Sequence, residues 1–359
     1  MAGVYISYPF CAQKCTYCNF ASGVFPRELE ACYLERLRTE IRDAAWTWKP
    51  ETVYLGGGTP SQIEPSALAA LLGEIPGRPW AEATIEAAPG TIAPDKAAAW
   101  KAAGIDRVSL GVQSFNAREL ARTGRKHTAE IVKAEVALLR EAGIDSINID
   151  LIAGLPHQTR QSWIESLEWL ERLGGPHASV YMLEVDQDSR LGSEILARGA
   201  RYGASDVPSD DQIAEFYELA VERLSLAGLR RYEISNFARP GYESRHNLKY
   251  WRREPYLGFG ADAHSFDGEW RWSNVESAAE YVDNPSAQER TLADPVGEPF
   301  FLGLRLAEGI DQDWTPFRES IEQLLRAGLL EFDGRRLRLT DRGVLLSNEV
   351  FQEFVSMPA

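Results

Sequence analysis

Three of the chain's four cysteines fall within eight residues: Cys11, Cys15 and Cys18, spaced C-x3-C-x2-C. They follow a short apolar run with the character of a strand, so they stand on the loop at its end. Such a loop can bend round one small object and aim three thiolates at it. Three thiolates on a [4Fe–4S] cluster leave one iron free for an outside ligand. A structural zinc ion would need a fourth donor. No second C-x2-C or H-x3-5-H pair follows, which leaves only His127 or His157 from a distance. A Cys15–Cys18 redox pair would leave Cys11 unexplained. Cys32 borders the helical face made by Leu29, Tyr33, Leu37 and Ile41 and reads as a buried helix cysteine.

Further polar groups stand where other apparent strands end. Gly56-Gly57-Gly58-Thr59-Pro60 removes side chains, so a ligand can approach the backbone closely. Glu86 and Asp150 sit in apolar strand surroundings, where a carboxylate is costly unless paired or hydrogen-bonded. Ribose hydroxyls or an amino group would supply partners, as would a protein cation. Gln113 offers both a donor and an acceptor, and Glu184 ends the sixth run. Arg125 could grip a carboxylate bidentately, although a lone loop arginine is usually just solvated.

The elements that must position these groups alternate. Expected strands are Val4–Tyr8, Thr52–Leu55, Thr84–Ala87, Arg107–Val112, Ser146–Leu151 and Ser179–Val185. Expected helices lie around Glu28–Trp46, Pro65–Leu72, Pro94–Ala103, Ala129–Ala142 and Ser162–Leu173, several closed by glycine. Strand and helix in alternation imply parallel strands with right-handed crossovers. The expected fold is α/β, a partial (β/α)6 barrel of the TIM type, whose C-terminal strand rim is where sites are built.

The alternation stops near Asn236, after a last long helix at Pro208–Ala227 and an edge strand at Tyr232–Ser235. His246-Asn247-Leu248-Lys249-Tyr250-Trp251 follows, and His264 comes later beside Phe266. A histidine among large aromatics can serve as an axial ligand beside a flat macrocycle. Spacing alone favours a packed histidine. The tail reads as a helix at Glu319–Ala327, a hairpin with an Asp333-Gly334 turn, and a helix from Asp341 to Phe354. That is a small α+β, winged-helix-like unit. The expected division is residues 1–235 for the barrel, 236–295 for a connecting segment and 296–359 for this C-terminal domain.

With 359 residues the chain can bury a large core. A net charge of −15 argues against nucleic acid as a partner, since phosphate binding needs a basic face. Glu319, Glu322, Glu331 and Asp333 likewise dilute the basic residues of the tail, which fits a packing or lid role. No apolar run approaches the roughly 20 residues of a membrane span, and no signal peptide precedes the first strand. Few, clustered cysteines fit a reducing cytoplasm. Membrane association would run through a partner.

These residues resemble a known family. Cys11, Cys15, Tyr17 and Cys18 look like the cluster loop of the radical S-adenosylmethionine (SAM) superfamily. Gly-Gly-Gly-Thr-Pro, Gly111–Asn116 and Asn148–Pro156 resemble one branch of it, which holds oxygen-independent coproporphyrinogen III oxidase and the heme chaperone HemW. The resemblance runs through nearly the whole chain. It implies a [4Fe–4S] cluster on the three cysteines, with SAM on the open iron. Tyr5, Tyr17, Gly57, Gly58, Thr59, Glu86, Gln113, Arg125 and Asp150 fall where the family contacts SAM. Arg125 would meet the methionine carboxylate, and Gln113 and Asp150 the ribose. His246, Tyr250 and Trp251 match a His-Asn-x-x-Tyr-Trp motif tied to heme, which would pass to an acceptor protein. His264 is a second candidate ligand. The oxidase carries an extra cysteine two residues after the third and a long segment before its first strand. This chain has Phe20 at the first point and only Met1-Ala2-Gly3 at the second, which favours the chaperone side and no coproporphyrinogen oxidase activity. Ser7 stands where relatives usually have histidine, so a radical SAM enzyme with another substrate is a third reading.

Overall fold

In the computed structural model, which describes residues 2–284 and 288–355, six parallel strands lie side by side in chain order. They are β1 (Ala2–Tyr8), β2 (Pro50–Gly57), β3 (Glu82–Ala87), β4 (Arg107–Gln113), β5 (Ser146–Ala153) and β6 (His177–Met182). Helices Arg27–Asp43, Pro65–Gly73, Pro94–Ala102, Ala129–Glu141 and Arg160–Leu173 form the crossovers, and Asp210–Leu226 follows β6. The expected strands and helices are present with shifts of a few residues at their ends. Strand six differs most: it begins at His177 and stops at Met182, so Glu184 falls on an exposed stretch beyond it.

Each strand alternates, and the alternation explains the architecture. Val4, Ile6, Val53, Leu55, Ile85, Val108, Leu110, Leu151 and Val180 are wholly buried against the helices. Each such side chain contributes about 1.5–3 kcal/mol of burial. The residues between them carry polar groups or no side chain: Tyr5 and Ser7, Tyr54 and Gly56, Thr84 and Glu86, Ser109 and Gly111, Asn148 and Asp150, Ser179 and Tyr181. Strand register keeps these on one side: Ser7 pairs with Gly56, Glu86 with Ser109, and Gly111 with Asp150. The hydrophobic core therefore lies outside the curved sheet, and the concave face is a polar lumen.

Among the described residues the sheet does not close. A short hairpin, β7 (Arg230–Arg231) and β8 (Asn236–Ala238), pairs antiparallel with β6. Tyr232–Ser235, expected as a strand, forms its turn. On the other side β9 (Tyr256–Phe259) adds in parallel to β1, and β10 (His264–Phe266), β11 (Trp270–Asn274) and β12 (Gln288–Leu292) continue the same sheet as a meander. Glu40, on the first helix, ties this extension down. It accepts from Gly260 N (2.9 Å), Asn274 Nδ2 (2.9 Å) and the Tyr281 hydroxyl (2.5 Å). A second hairpin, β13 (Leu330–Phe332) with β14 (Leu337–Leu339), follows helix Arg318–Arg326. The single last helix expected from the sequence is two, Asp341–Leu345 and Ser347–Gln352, broken at Leu346. Among the described residues no helix is long and apolar enough to cross a membrane.

Candidate functional site

The cysteine loop leaves the C-terminal end of β1 and is pinned from three sides. Cys11 N donates to Gly23 O (2.8 Å), Gly23 N to Pro9 O (2.9 Å), and Thr16 N to Thr123 O (3.3 Å). Cys11, Cys15 and Cys18 are half-buried free thiols. Thr59 Oγ1 donates to Cys11 Sγ (3.6 Å). Burial pushes the Cys11 thiol up, and hydrogen bonds from Thr59 and Ser22 work against that shift. Among the described residues no three His, Cys, Asp or Glu side chains gather closely enough for a single metal ion. A cubane cluster takes one thiolate per iron, so its thiols stand round a body and need not converge on one point. Cys32 is exposed, contrary to expectation, because the buried face of its helix is Tyr33, Leu37 and Ile41 and position 32 turns off it.

The glycines at the end of β2 have a specific steric reason. A Cβ on Gly58 would stand 2.6 Å from Phe10 O and 2.8 Å from the Pro9 carbonyl carbon. Gly58 N donates to Tyr8 O (2.7 Å) and Thr59 N to Phe10 O (2.9 Å). Gly57 has a φ of 107°, and its N–H donates to Glu86 Oε2 (3.2 Å). The run thus lays β2 directly against the base of the cysteine loop.

Arg125 reaches the same place from another direction. Asn116 caps helix Ala117–Thr123, accepting from Arg118 N (2.9 Å), and Gly124 closes it in the left-handed region at φ 85°. Arg125 follows, giving Nη1 to Gly111 O (2.6 Å) and Nε to the Tyr17 hydroxyl (3.2 Å). Gln113 sits at a register shift between β4 and β5 with φ 71°, a costly conformation for a non-glycine residue. Its Oε1 is buried with no hydrogen-bond partner.

Glu86 and Asp150 share the lumen. The Tyr54 hydroxyl donates to Glu86 Oε1 (2.9 Å). Asn148 Nδ2 donates to Asp150 Oδ1 (2.7 Å), and Ser109 Oγ to Oδ2 (3.2 Å). Burial, then the charge of Asp150, pushes Glu86 from 4.5 up to about 7. A carboxyl that holds its proton more tightly when folded loses stability as pH rises through that range. The ligand-free protein is expected to lose about 3 kcal/mol between about pH 5 and about pH 8 from this group. In Glu86→Gln that stretch should flatten; urea midpoints that fall equally in both proteins would contradict it. Tyr181, missed in the sequence, belongs to the same face. It lines the lumen beside Ser109, Asn148 and Ser179 and is 42% exposed. Its signal was the alternation His177, Ser179, Tyr181.

A family model for the radical SAM superfamily matches residues 5–170, and one for the HemN C-terminal domain matches 291–346. The heme chaperone HemW of Bacillus subtilis is 33% identical, covering 99% of this chain and 99% of its own. The heme chaperone HemW of Mycobacterium tuberculosis is 37% identical, covering 97% of this chain and 93% of its own. This chain belongs to the HemW family of radical SAM proteins. Coproporphyrinogen III oxidase (HemN) from Escherichia coli, a solved structure described as a radical SAM enzyme, shares the fold of this HemW-family chain. Its TM-score is 0.82 at 24% identity, over 98% of this chain and 89% of that one. The radical SAM superfamily implies a [4Fe–4S] cluster and SAM. The thiol loop, the orphaned Gln113 acceptor and the polar lumen fit both.

The His-Asn-x-x-Tyr-Trp stretch of this HemW-family chain lies away from the cysteine loop. Helix Arg245–Trp251 plugs the opposite, N-terminal end of the barrel, its start capped by Glu82, which accepts from Arg245 N and His246 N (3.0 Å each). His246 is 1% exposed. Both ring nitrogens are used, Nδ1 with Thr52 Oγ1 (2.8 Å) and Nε2 with the Tyr250 hydroxyl (2.7 Å). Burial, then the Lys249 charge, pushes its pKa down to about 3. The ring stacks on Tyr54 (5.2 Å, 28°), the residue that donates to Glu86. His246 is thus a floor of the lumen and presents no free nitrogen to a heme iron. This is the packed histidine that spacing alone favours; its partner Thr52 stands 194 residues away. His264 is exposed on β10, 4.0 Å from Asp262.

Proposed function

We propose that this chain is a heme carrier of the HemW type, acting in the cytoplasm and passing heme to an acceptor protein. The observation that carries the reading is the likeness to heme chaperones named HemW across almost the entire chain. Cys11, Cys15 and Cys18 would hold the cluster. SAM would lie in the lumen among Tyr5, Tyr17, Gly57, Gly58, Thr59, Glu86, Gln113, Arg125 and Asp150. When bound, the cluster would supply one-electron chemistry beside the SAM site. The residues of this chain do the holding. Arg125 offers a fixed guanidinium to a carboxylate, Gln113 Oε1 an acceptor to a hydroxyl or amino group, and Asp150 and Glu86 further acceptors.

Against the oxidase reading, Phe20 stands where that enzyme has its extra cysteine, and it is 63% exposed. Asn19 donates to Asp186 Oδ2 (2.7 Å), so the segment after the third cysteine is tied to the loop after β6. With dithionite and SAM, the anaerobically reconstituted protein is expected to leave coproporphyrinogen III unchanged, followed by chromatography of the porphyrins. Decarboxylated product at catalytic turnover would reverse the proposal in favour of the oxidase.

A further inference from the structure

We infer that His177 is a positioning residue for the SAM site: it fixes the Asn148 amide with its N–H groups, and not its oxygen, facing Asp150. The inference rests on the reading above that SAM lies in the lumen and meets Asp150.

Asn148 on β5 and His177 on β6 are register partners, and both are buried. His177 Nδ1 lies 2.6 Å from Asn148 Oδ1, and Nε2 lies 2.9 Å from the Tyr232 hydroxyl. An amide oxygen only accepts, so Nδ1 carries the proton. Burial, then the Arg107 charge, pushes the His177 pKa well below the usual histidine range, so the ring is neutral and Nε2 is bare. The Tyr232 hydroxyl therefore donates to Nε2, and its oxygen accepts from Ser244 N (3.1 Å). Each link has one possible direction. The chain of donors runs from Ser244 N–H through Tyr232 and His177 to Asn148, and ends at Asp150.

Asn148 Nδ2 stands 2.7 Å from Asp150 Oδ1, 2.7 Å from Ser109 Oγ and 2.9 Å from Ser179 Oγ. Both hydroxyls spend their own proton elsewhere, Ser109 on Asp150 Oδ2 (3.2 Å) and Ser179 on Asn236 Oδ1 (2.8 Å). All three oxygens therefore face the amide as acceptors. Turned over, the amide would set its oxygen against the Asp150 carboxylate with no proton between them. Its NH2 would at the same time meet His177 Nδ1–H, donor against donor. Buried polar groups left facing their own kind are costly, so the proton on His177 Nδ1 selects one amide orientation. Asp150 is then held by donors on the strand side, with acceptor capacity left for a ribose hydroxyl. Tyr232 stands in the turn of the β7–β8 hairpin, and Ser244 caps helix Arg245–Trp251. The floor helix that carries His246 thus also braces Asp150.

SAM dissociation constants of the anaerobically reconstituted full chain, read by equilibrium dialysis without reductant, test this. His177→Leu and His177→Asn leave similar space, but only the asparagine amide can set an N–H where Nδ1–H stood. His177→Leu should weaken SAM about fivefold, and His177→Asn should regain most of that. In an Asp150→Asn background the His177→Leu change should have no further effect, because an amide at position 150 turns to meet either end of Asn148. Unchanged affinity in His177→Leu, equal losses in His177→Leu and His177→Asn, or a loss undiminished beside Asp150→Asn overturns the inference alone. If both changes at position 177 lower the urea midpoint, Tyr232→Phe decides the matter. It removes one hydroxyl and frees the ring to carry its proton on Nε2, which should weaken SAM about threefold; unchanged affinity there overturns the inference. A parent protein that binds no SAM overturns the lumen as its site, and the inference with it.

Discussion

Serine at Cys15 should leave the chain without its cluster. The reconstituted parent is expected to carry about four irons and four sulfides, and the Cys11→Ser, Cys15→Ser and Cys18→Ser proteins close to none. The fold should survive, because the loop is held by backbone bonds such as Cys11 N to Gly23 O and Thr16 N to Thr123 O, none of which needs a thiol. Far-UV circular dichroism of the three variants should therefore match the parent. Cys32→Ser should keep a full cluster, since Cys32 is exposed on the helix that packs outside the barrel. A cluster that survives loss of Cys15 would show that the metal is held by another set.

The second large effect is expected at His246. Alanine there removes an imidazole that fills the barrel floor, and it leaves Thr52 Oγ1 and the Tyr250 hydroxyl without their partner. The cavity and the unpaired groups together should cost about 3 kcal/mol, read as a lowered urea midpoint of the ligand-free protein. The consequence should reach SAM as well. Tyr54 loses the ring it stacks on, and Tyr54 orients Glu86. Weaker SAM binding in His246→Ala, reproduced in part by Tyr54→Phe, would follow. An unchanged midpoint with only a changed Soret band would restore the ring as a heme ligand.

The parts legible in the sequence share one property: their signal is local. Strands could be placed because apolar runs give way to Gly56 and Gln113, and several helices carry their own cap or closing glycine, as Thr159 and Gly174 do for Arg160–Leu173. Contacts over long sequence distances had no such signal. Nothing near Tyr256 announces that β9 adds in parallel to β1, some 250 residues earlier. Spacing alone favours a packed His246, but its partner Thr52, 194 residues away, could not be named from the sequence. Cys32 was misjudged by a single step round a helix, and Glu184 by the point at which β6 ends. The polar lumen also has a local signal: Ser109, Asn148, Ser179 and Tyr181 alternate with buried aliphatics along their strands.

Hemin titration of the anaerobically reconstituted, SAM-supplied protein, followed in the Soret region, tests the central claim most directly. A carrier should give a saturable Soret change at about one heme per chain, while the cluster's iron and sulfide content stays constant. No saturable change, with cluster and SAM both bound, would contradict the account and leave a radical SAM protein with some other substrate.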